Sequence, residues 1–193
     1  MMSKFGNAIT DFWIRVLASE KIQKEFEWVN SPDDVLDVAF EQADRYLKAQ
    51  LEVSLAADRR AISIAQIFLG IASASAALLV TMASKGKDAD QSMITALGVF
   101  LEMMSGAAAI AFVAATPVMF YFPGNWPSEI YDLSANSAPE VKRTECTKYD
   151  KYIRHNYEVI GIAARDLVAA IVVGGAAPIV SVCIYFLFRK FST

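Results

Sequence analysis

The chain is poor in cysteine and histidine, has no surplus of basic residues and carries no catalytic signature, and each shortage removes a class of function. Its only two cysteines are Cys146, in a charged stretch, and Cys183, inside an apolar block. Residues so differently placed do not form a stabilising bridge, and both are expected as free thiols. His155 is the single histidine. With no second histidine and no cysteine pair, zinc ligation is not expected, and the side chain reads as an exposed helical one. Lysine and arginine number 18 against 21 aspartate and glutamate, a formal net charge of −3. Nucleic-acid binding needs a clustered cationic excess to neutralise phosphates, so no nucleic acid is expected as a partner. There is no GxxxxGK[ST] phosphate loop, no HExxH and no GxSxG elbow. No nucleophile stands beside a base either, so neither an enzyme nor a resident metal or cofactor is expected. Lys4, Asp11 and Arg15 interrupt the first residues, which therefore lack the apolar core of a secretory signal and are expected to stay on the mature protein.

Apolar sequence is what the chain has in quantity. Hydrophobic residues make up 55% of it, more than a soluble domain usually carries. The excess sits in three blocks. Residues 61–84 hold no charge, a length that suffices for a helix to cross about 30 Å of hydrocarbon. Residues 93–122 hold one charge, Glu102, and end toward Pro123, Gly124 and Pro127, which stop a helix. Residues 167–188 lie between Arg165-Asp166 and Arg189-Lys190. Each block must be helical, because unpaired backbone amides in lipid are costly and three segments cannot close a barrel. The expected class is an all-α integral membrane protein with three transmembrane helices. Ten lysines and arginines flank the N-terminal side and the second loop, against four at Lys85, Lys87, Arg189 and Lys190. By the positive-inside rule the N-terminus and the loop 123–166 face the cytoplasm.

The polar parts also read as helical. Ser31-Pro32-Asp33-Asp34 has a capping Ser, a Pro where its missing N–H is harmless, and acids at the positive helix end. Behind it Val35, Leu36, Ala39, Ala43, Tyr46, Leu47, Gln50, Leu51, Ser54 and Leu55 form a mostly apolar stripe. No Gly or Pro separates this helix, 31–60, from the first span. The second loop repeats the design: Ser137-Ala138-Pro139-Glu140 is a start, and Val141, Cys146, Tyr149, Tyr152, Ile153, Tyr157 and Ile160 make a discontinuous apolar face. Gly161 softens its junction with the third span. Two such juxtamembrane cytoplasmic helices are expected to pack as a bundle, on each other or on a neighbouring subunit. In the amphipathic N-terminal segment 1–30, Phe5, Ile9, Phe12, Trp13, Val16 and Leu17 share a helical face. Two readings share that face: a helix in the membrane interface, or one docked on the bundle.

Within the spans, Glu102 is the one acid, and an ionisable side chain there needs water or a partner. It is a pore or proton-path candidate; the alternative places it near the outer boundary, with Lys85 or Lys87 neutralising it. Arg59, Arg60, Arg165 and Asp166 stand where long cationic side chains reach headgroups, and read as snorkelling rather than as a ligand site. Small residues crowd all three spans, including Gly70, Ala74 and Ala77, then Ser105, Gly106 and Ala109, then Gly174, Gly175 and Ala177. They permit close helix approach, which serves either a tight monomer or a homo-oligomer in the lipid bilayer, the latter favoured by their number.

Three pieces of the sequence together resemble a known family. They are Leu36-Asp37-Val38-Ala39, Gln42 and Gln50 leading through Asp58-Arg59-Arg60-Ala61 into a span, the adjacent span behind a short polar loop, and Tyr149-Asp150-Lys151-Tyr152-Ile153-Arg154-His155-Asn156-Tyr157 passing through Ala164-Arg165 into the last span. Over about residues 35–188 the organisation resembles the small transmembrane effectors of bacterial antiphage signalling systems, the Pycsar transmembrane effectors among them. The resemblance implies a protein that associates and breaches the inner membrane once a nucleotide second messenger is made. No recognisable cyclic-nucleotide-binding domain is present. Arg143, Lys148, Lys151 and Arg154 are the cations left to meet a cyclic nucleotide's phosphate, or else are solvated charge at a membrane face. The competing class is a non-catalytic accessory subunit of a larger membrane complex. A transporter is disfavoured, because no inverted repeat or broken helix pair is visible.

Overall fold

The computed structural model describes Trp28 and residues 31–86, 90–116, 119–124 and 137–191. The N-terminal segment with its Phe5-to-Leu17 face lies outside the described residues, as do Lys87 and residues 125–136 of the second loop. Three helices make up the described regular structure: α1 Asp33–Ala83, α2 Gln91–Ala114 and α3 Ala138–Phe191. All three are long and apolar enough to cross a membrane, and no strand occurs among the described residues. The chain divides into two compact units, one within Met1–Glu52 and Met119–Gly161, the other within Val53–Val118 and Ile162–Thr193.

Helix starts follow local chemistry. The Leu36 amide donates to Pro32 O at 3.1 Å, so Pro32 holds the capping position one residue after the expected Ser31, with Asp33 and Asp34 in the first turn. The α3 start is a capping box in which the Ser137 amide and hydroxyl both donate to Glu140 Oε2 at 2.9 Å. Those two bonds hold the Glu140 carboxyl below its ordinary value. At α2 the cap is Asp90, whose carboxylate accepts from the Ser92 and Met93 amides at 3.0 and 3.2 Å.

The end of α2 corrects the expected 93–122 span. The helix stops at Ala114, where the Ala115 and Thr116 amides turn to Phe112 O and Val113 O at 3.1 and 3.0 Å. Thr116 precedes Pro117 in the sequence, and the residue before a proline is pushed away from helical backbone, so the stop lies well before Pro123. α3 runs unbroken through Gly161, which softens nothing, and through Pro178, which leaves the Gly174 carbonyl without its i+4 donor.

In the first unit α1 presents Leu36, Leu47 and Gln50 to the interior, and α3 presents Cys146, Tyr149 and Asn156. Phe40 stacks on Tyr149 with ring centroids 5.2 Å apart, the Cys146 thiol donates to Leu36 O at 3.9 Å, and Gln50 Nε2 donates to Ile153 O at 3.0 Å. The expected stripes are wider than these contacts cover. Val35, Tyr46, Leu55 and Tyr157 are exposed, because each sits off the line that actually points inward.

The second unit is built on small residues. Ala65, Ala111 and Ala170, one from each helix, form a buried cluster, and Ala72, Met104 and Ala177 form another; Phe68 packs against both. A methyl at the contact lets helices approach closely, so dispersion replaces the hydrophobic effect that lipid cannot supply. Hydroxyls on these helices are satisfied internally: Ser63, Ser73, Ser75, Thr81, Thr95 and Ser181 each donate to a carbonyl four residues back.

Candidate functional site

The four cations proposed for a phosphate do not converge. Arg143 Nη2 donates to Ser31 O and Asp33 Oδ1, each at 3.3 Å, tying α3 to the start of α1. Lys148 pairs with Glu145 at 3.2 Å and Arg154 with Asp150 at 2.6 Å. Lys151 is exposed and makes no ion pair among the described residues. Lys142, not among the four, pairs with Asp37. Three of the four thus already hold carboxylates, and the set is strung along roughly 16 Å of helix. A groove of about 470 Å³ between Phe100 and Tyr185 presents only apolar surface and offers nothing to a phosphate.

The densest polar cluster in the first unit was not foreseen. Asn156, fully buried, accepts from the Tyr121 amide at 2.9 Å and donates to Tyr121 O at 2.8 Å. One side chain thereby satisfies both backbone groups of Tyr121, as a paired strand would. Tyr121 lies flat on Tyr152, with ring centroids 4.3 Å apart. The Tyr149 hydroxyl accepts from the Gly124 amide at 3.1 Å, and Gly124 has φ +95°, a conformation glycine adopts readily. Burial pushes the Tyr149 phenol up, with the Gly124 bond opposing. His155 Nε2 lies 2.9 Å from Met119 O. It therefore does more than the solvated histidine expected from sequence, and no metal-ligating cluster occurs among the described residues. Residues 119–124, of which 119–122 were expected as the end of a span, are a strap bound along α3. In the sequence Tyr149, Tyr152 and Asn156 stand at helical spacing beside His155, but nothing there marks their backbone partner.

The glycines chosen for packing divide in two. A Cβ on Gly174 would sit 2.5 Å from Phe68 Cζ, so Gly174 serves the chain's own packing. Around Gly70, Gly106 and Gly175 a Cβ meets nothing within 4 Å. Gly70 lies in an exposed stripe with Ser73, Ala74 and Ala77. Gln66, one turn earlier on the same face, is also exposed, and its amide makes no hydrogen bond among the described residues. A count of charges passes over this residue, because it is polar without being ionised.

Glu102 is exposed near the middle of the 24 residues of α2, roughly 17 Å from either end at about 1.5 Å per residue. The early stop of α2 puts this position near the middle of the helix. No described group bonds or pairs with Glu102. Lys85 stands beyond the far end of α1, and Lys87 is outside the described residues. An acidic side chain at the centre of a span costs on the order of 3 kcal/mol when it faces lipid. Thr95, Gly98, Ser105, Gly106 and Ala109 share the face of Glu102 by helical spacing. Arg59, Arg60 and Arg165 are exposed. Compared with family models, curated proteins and solved structures, the chain matches none.

Proposed function

We propose that the protein is a non-catalytic membrane effector that self-associates in the inner membrane and compromises its integrity. The observation that carries this reading is the stripe around Gly70. From Gly70 to Ala77 it is a helix surface small enough for another helix to approach closely, in an apolar stretch, and the chain's own packing leaves it free. Gln66 at its head adds an amide that in lipid is best satisfied by a hydrogen bond across a helix pair. The first unit is then a cytoplasmic bundle of juxtamembrane helices, with the N-terminus on the same side. Its exposed Val35, Val38 and Tyr46 are a second apolar surface for association. α1 and α3 each run unbroken from polar into apolar sequence, so a signal that favours one packing of the cytoplasmic helices shifts the whole helix. The resemblance supplies the signal: a nucleotide second messenger made in antiphage defence. Direct binding would place its phosphate near Lys151, the cation of the four without a carboxylate.

In mild detergent the purified protein should run as a discrete homo-oligomer, and Gly70→Leu should reduce it to monomer. Cells carrying the wild type should depolarise when a nucleotide cyclase is co-expressed, and cells carrying Gly70→Leu at equal membrane level should not. A monomeric wild type that copurifies with one fixed partner would replace this reading with the accessory-subunit one.

A further inference from the structure

We infer that the Glu102 face of α2 faces water inside an assembly of copies of this chain, where a ring of Glu102 carboxyl groups selects cations. The inference rests on the self-association just proposed and names what that assembly passes.

The argument starts from what can cover the face. Lipid cannot cover it at low cost, because Glu102 stands at mid-helix without an ion-pair or hydrogen-bond partner among the described residues. Exposed acids at that depth border a water-filled space or another polar group. A cation from the same chain is out of reach, since Arg59, Arg60, Arg165, Arg189 and Lys190 stand at the ends of the apolar stretches. Ser105, exposed on the same face, makes no hydrogen bond among the described residues, although six other hydroxyls in these helices turn back to their own backbone. A hydroxyl left unbonded beside a carboxyl marks a surface that water completes. Gly98, Gly106 and Ala109 keep the face low, so that facing copies leave a lumen instead of filling it. α3 differs along its apolar length, where Ile171, Val172, Ile179, Val182, Phe186 and Leu187 are among the exposed side chains, as lipid demands, whereas on α2 the large exposed Phe112 and Val113 stand at the C-terminal end, beyond Ala109. A second copy is the occupant because it brings the same polar face and no new charge of opposite sign. Rings of acidic side chains favour cations over anions.

Two measurements on protein reconstituted in phosphatidylcholine vesicles test this. With Cys146 and Cys183 replaced by Ser, Ser105→Cys and Ala109→Cys should react with a charged, water-soluble methanethiosulfonate reagent at least tenfold faster than Ile179→Cys. In a potassium chloride gradient the wild-type reversal potential should lie toward potassium. Glu102→Gln should lower the potassium-to-chloride permeability ratio several-fold, and Glu102→Lys should invert it. Labelling of Ser105→Cys only by a lipid-soluble maleimide would put the face in lipid and overturn the inference. So would a conductance whose selectivity Glu102→Gln leaves unchanged, and in that case the leak itself stands. Fast labelling without any conductance would keep the water-facing surface and remove the leak.

Discussion

Gly174→Ala adds one methyl at a place where the packing has no room for it. The new Cβ would lie 2.5 and 2.6 Å from Phe68 Cζ and Cε1, well inside contact distance, so the ring must move. It cannot swing freely, because Phe68 packs against both alanine clusters, Ala65-Ala111-Ala170 and Ala72-Met104-Ala177. Displacing it loosens contacts on all three helices. Overpacking of this kind costs about 1–3 kcal/mol, and the cost should largely disappear when Phe68→Leu shortens the obstructing side chain. The expected results are therefore a destabilised Gly174→Ala, a separately destabilised Phe68→Leu, and a double variant more stable than the sum of the two losses by at least about 1 kcal/mol. Titrating sodium dodecyl sulfate into protein held in mild detergent, with helicity as the signal, measures each term. Strictly additive losses, or a Gly174→Ala variant within about 0.5 kcal/mol of wild type, would show that α1 and α3 do not meet at this point. The same variant should leave the oligomer's size unchanged, because Gly174 serves the chain's own packing.

Four further predictions concern the first unit. Asn156→Leu leaves the Tyr121 amide and carbonyl unpaired, at about 1–3 kcal/mol each, so amide exchange at Tyr121 should accelerate at least tenfold; unchanged protection would mean that Asn156 does not hold the strap. Glu140 has its carboxyl held below the ordinary 4.5 by the Ser137 bonds. Such a group adds stability that is fully present above 4.5 and is lost as pH falls through its lower folded value, so the first turn of α3 should loosen in that acid window and Glu140→Gln should show no such step. Cys146 is buried, and burial raises its thiol, with the Glu145 charge adding to this, so a membrane-impermeant maleimide should label it slowly even from the side it occupies. Thr147→Cys, exposed and in a chain with Cys146 and Cys183 replaced by Ser, should label only after the inner membrane is opened, and labelling in intact spheroplasts would reverse the orientation.

Much of the helical layout was legible because membrane helices are specified by length and composition, which a sequence displays directly. The start at Ser137 was readable from its capping residues and that of α1 to within one residue, and the three apolar blocks from the scarcity of charge. Two things were not readable. The stop at Ala114 was hidden by Tyr121 and Phe122, which extend the apolar block to Pro123 although Pro117 had already ended the helix; hydropathy counts side chains and is blind to the missing amide. The Asn156 latch was hidden because its partner is backbone. A residue that satisfies the N–H and C=O of Tyr121 leaves no complementary side chain in the sequence, and an asparagine in a charged helix looks like solvated surface.

The glycines show the same limit from the other side. Gly70, Gly106, Gly174 and Gly175 are equivalent as letters, and close helix approach is all that their type predicts. What separates them is which face each takes, and that is set by where the large residues go. Phe68 turns toward Gly174 and spends that glycine on the chain's own packing, while Gly70 and Gly106 are left uncovered beside Ala74 and Ser105. A monomer that needed every small residue for itself would show a side chain over each. This chain covers one and leaves three open, and near one of the open ones it places the only carboxyl of its apolar blocks. Substituting Gly106 by Leu should therefore narrow the water-filled space and lower conduction, while leaving the oligomer's size and the detergent titration of the isolated chain where they were.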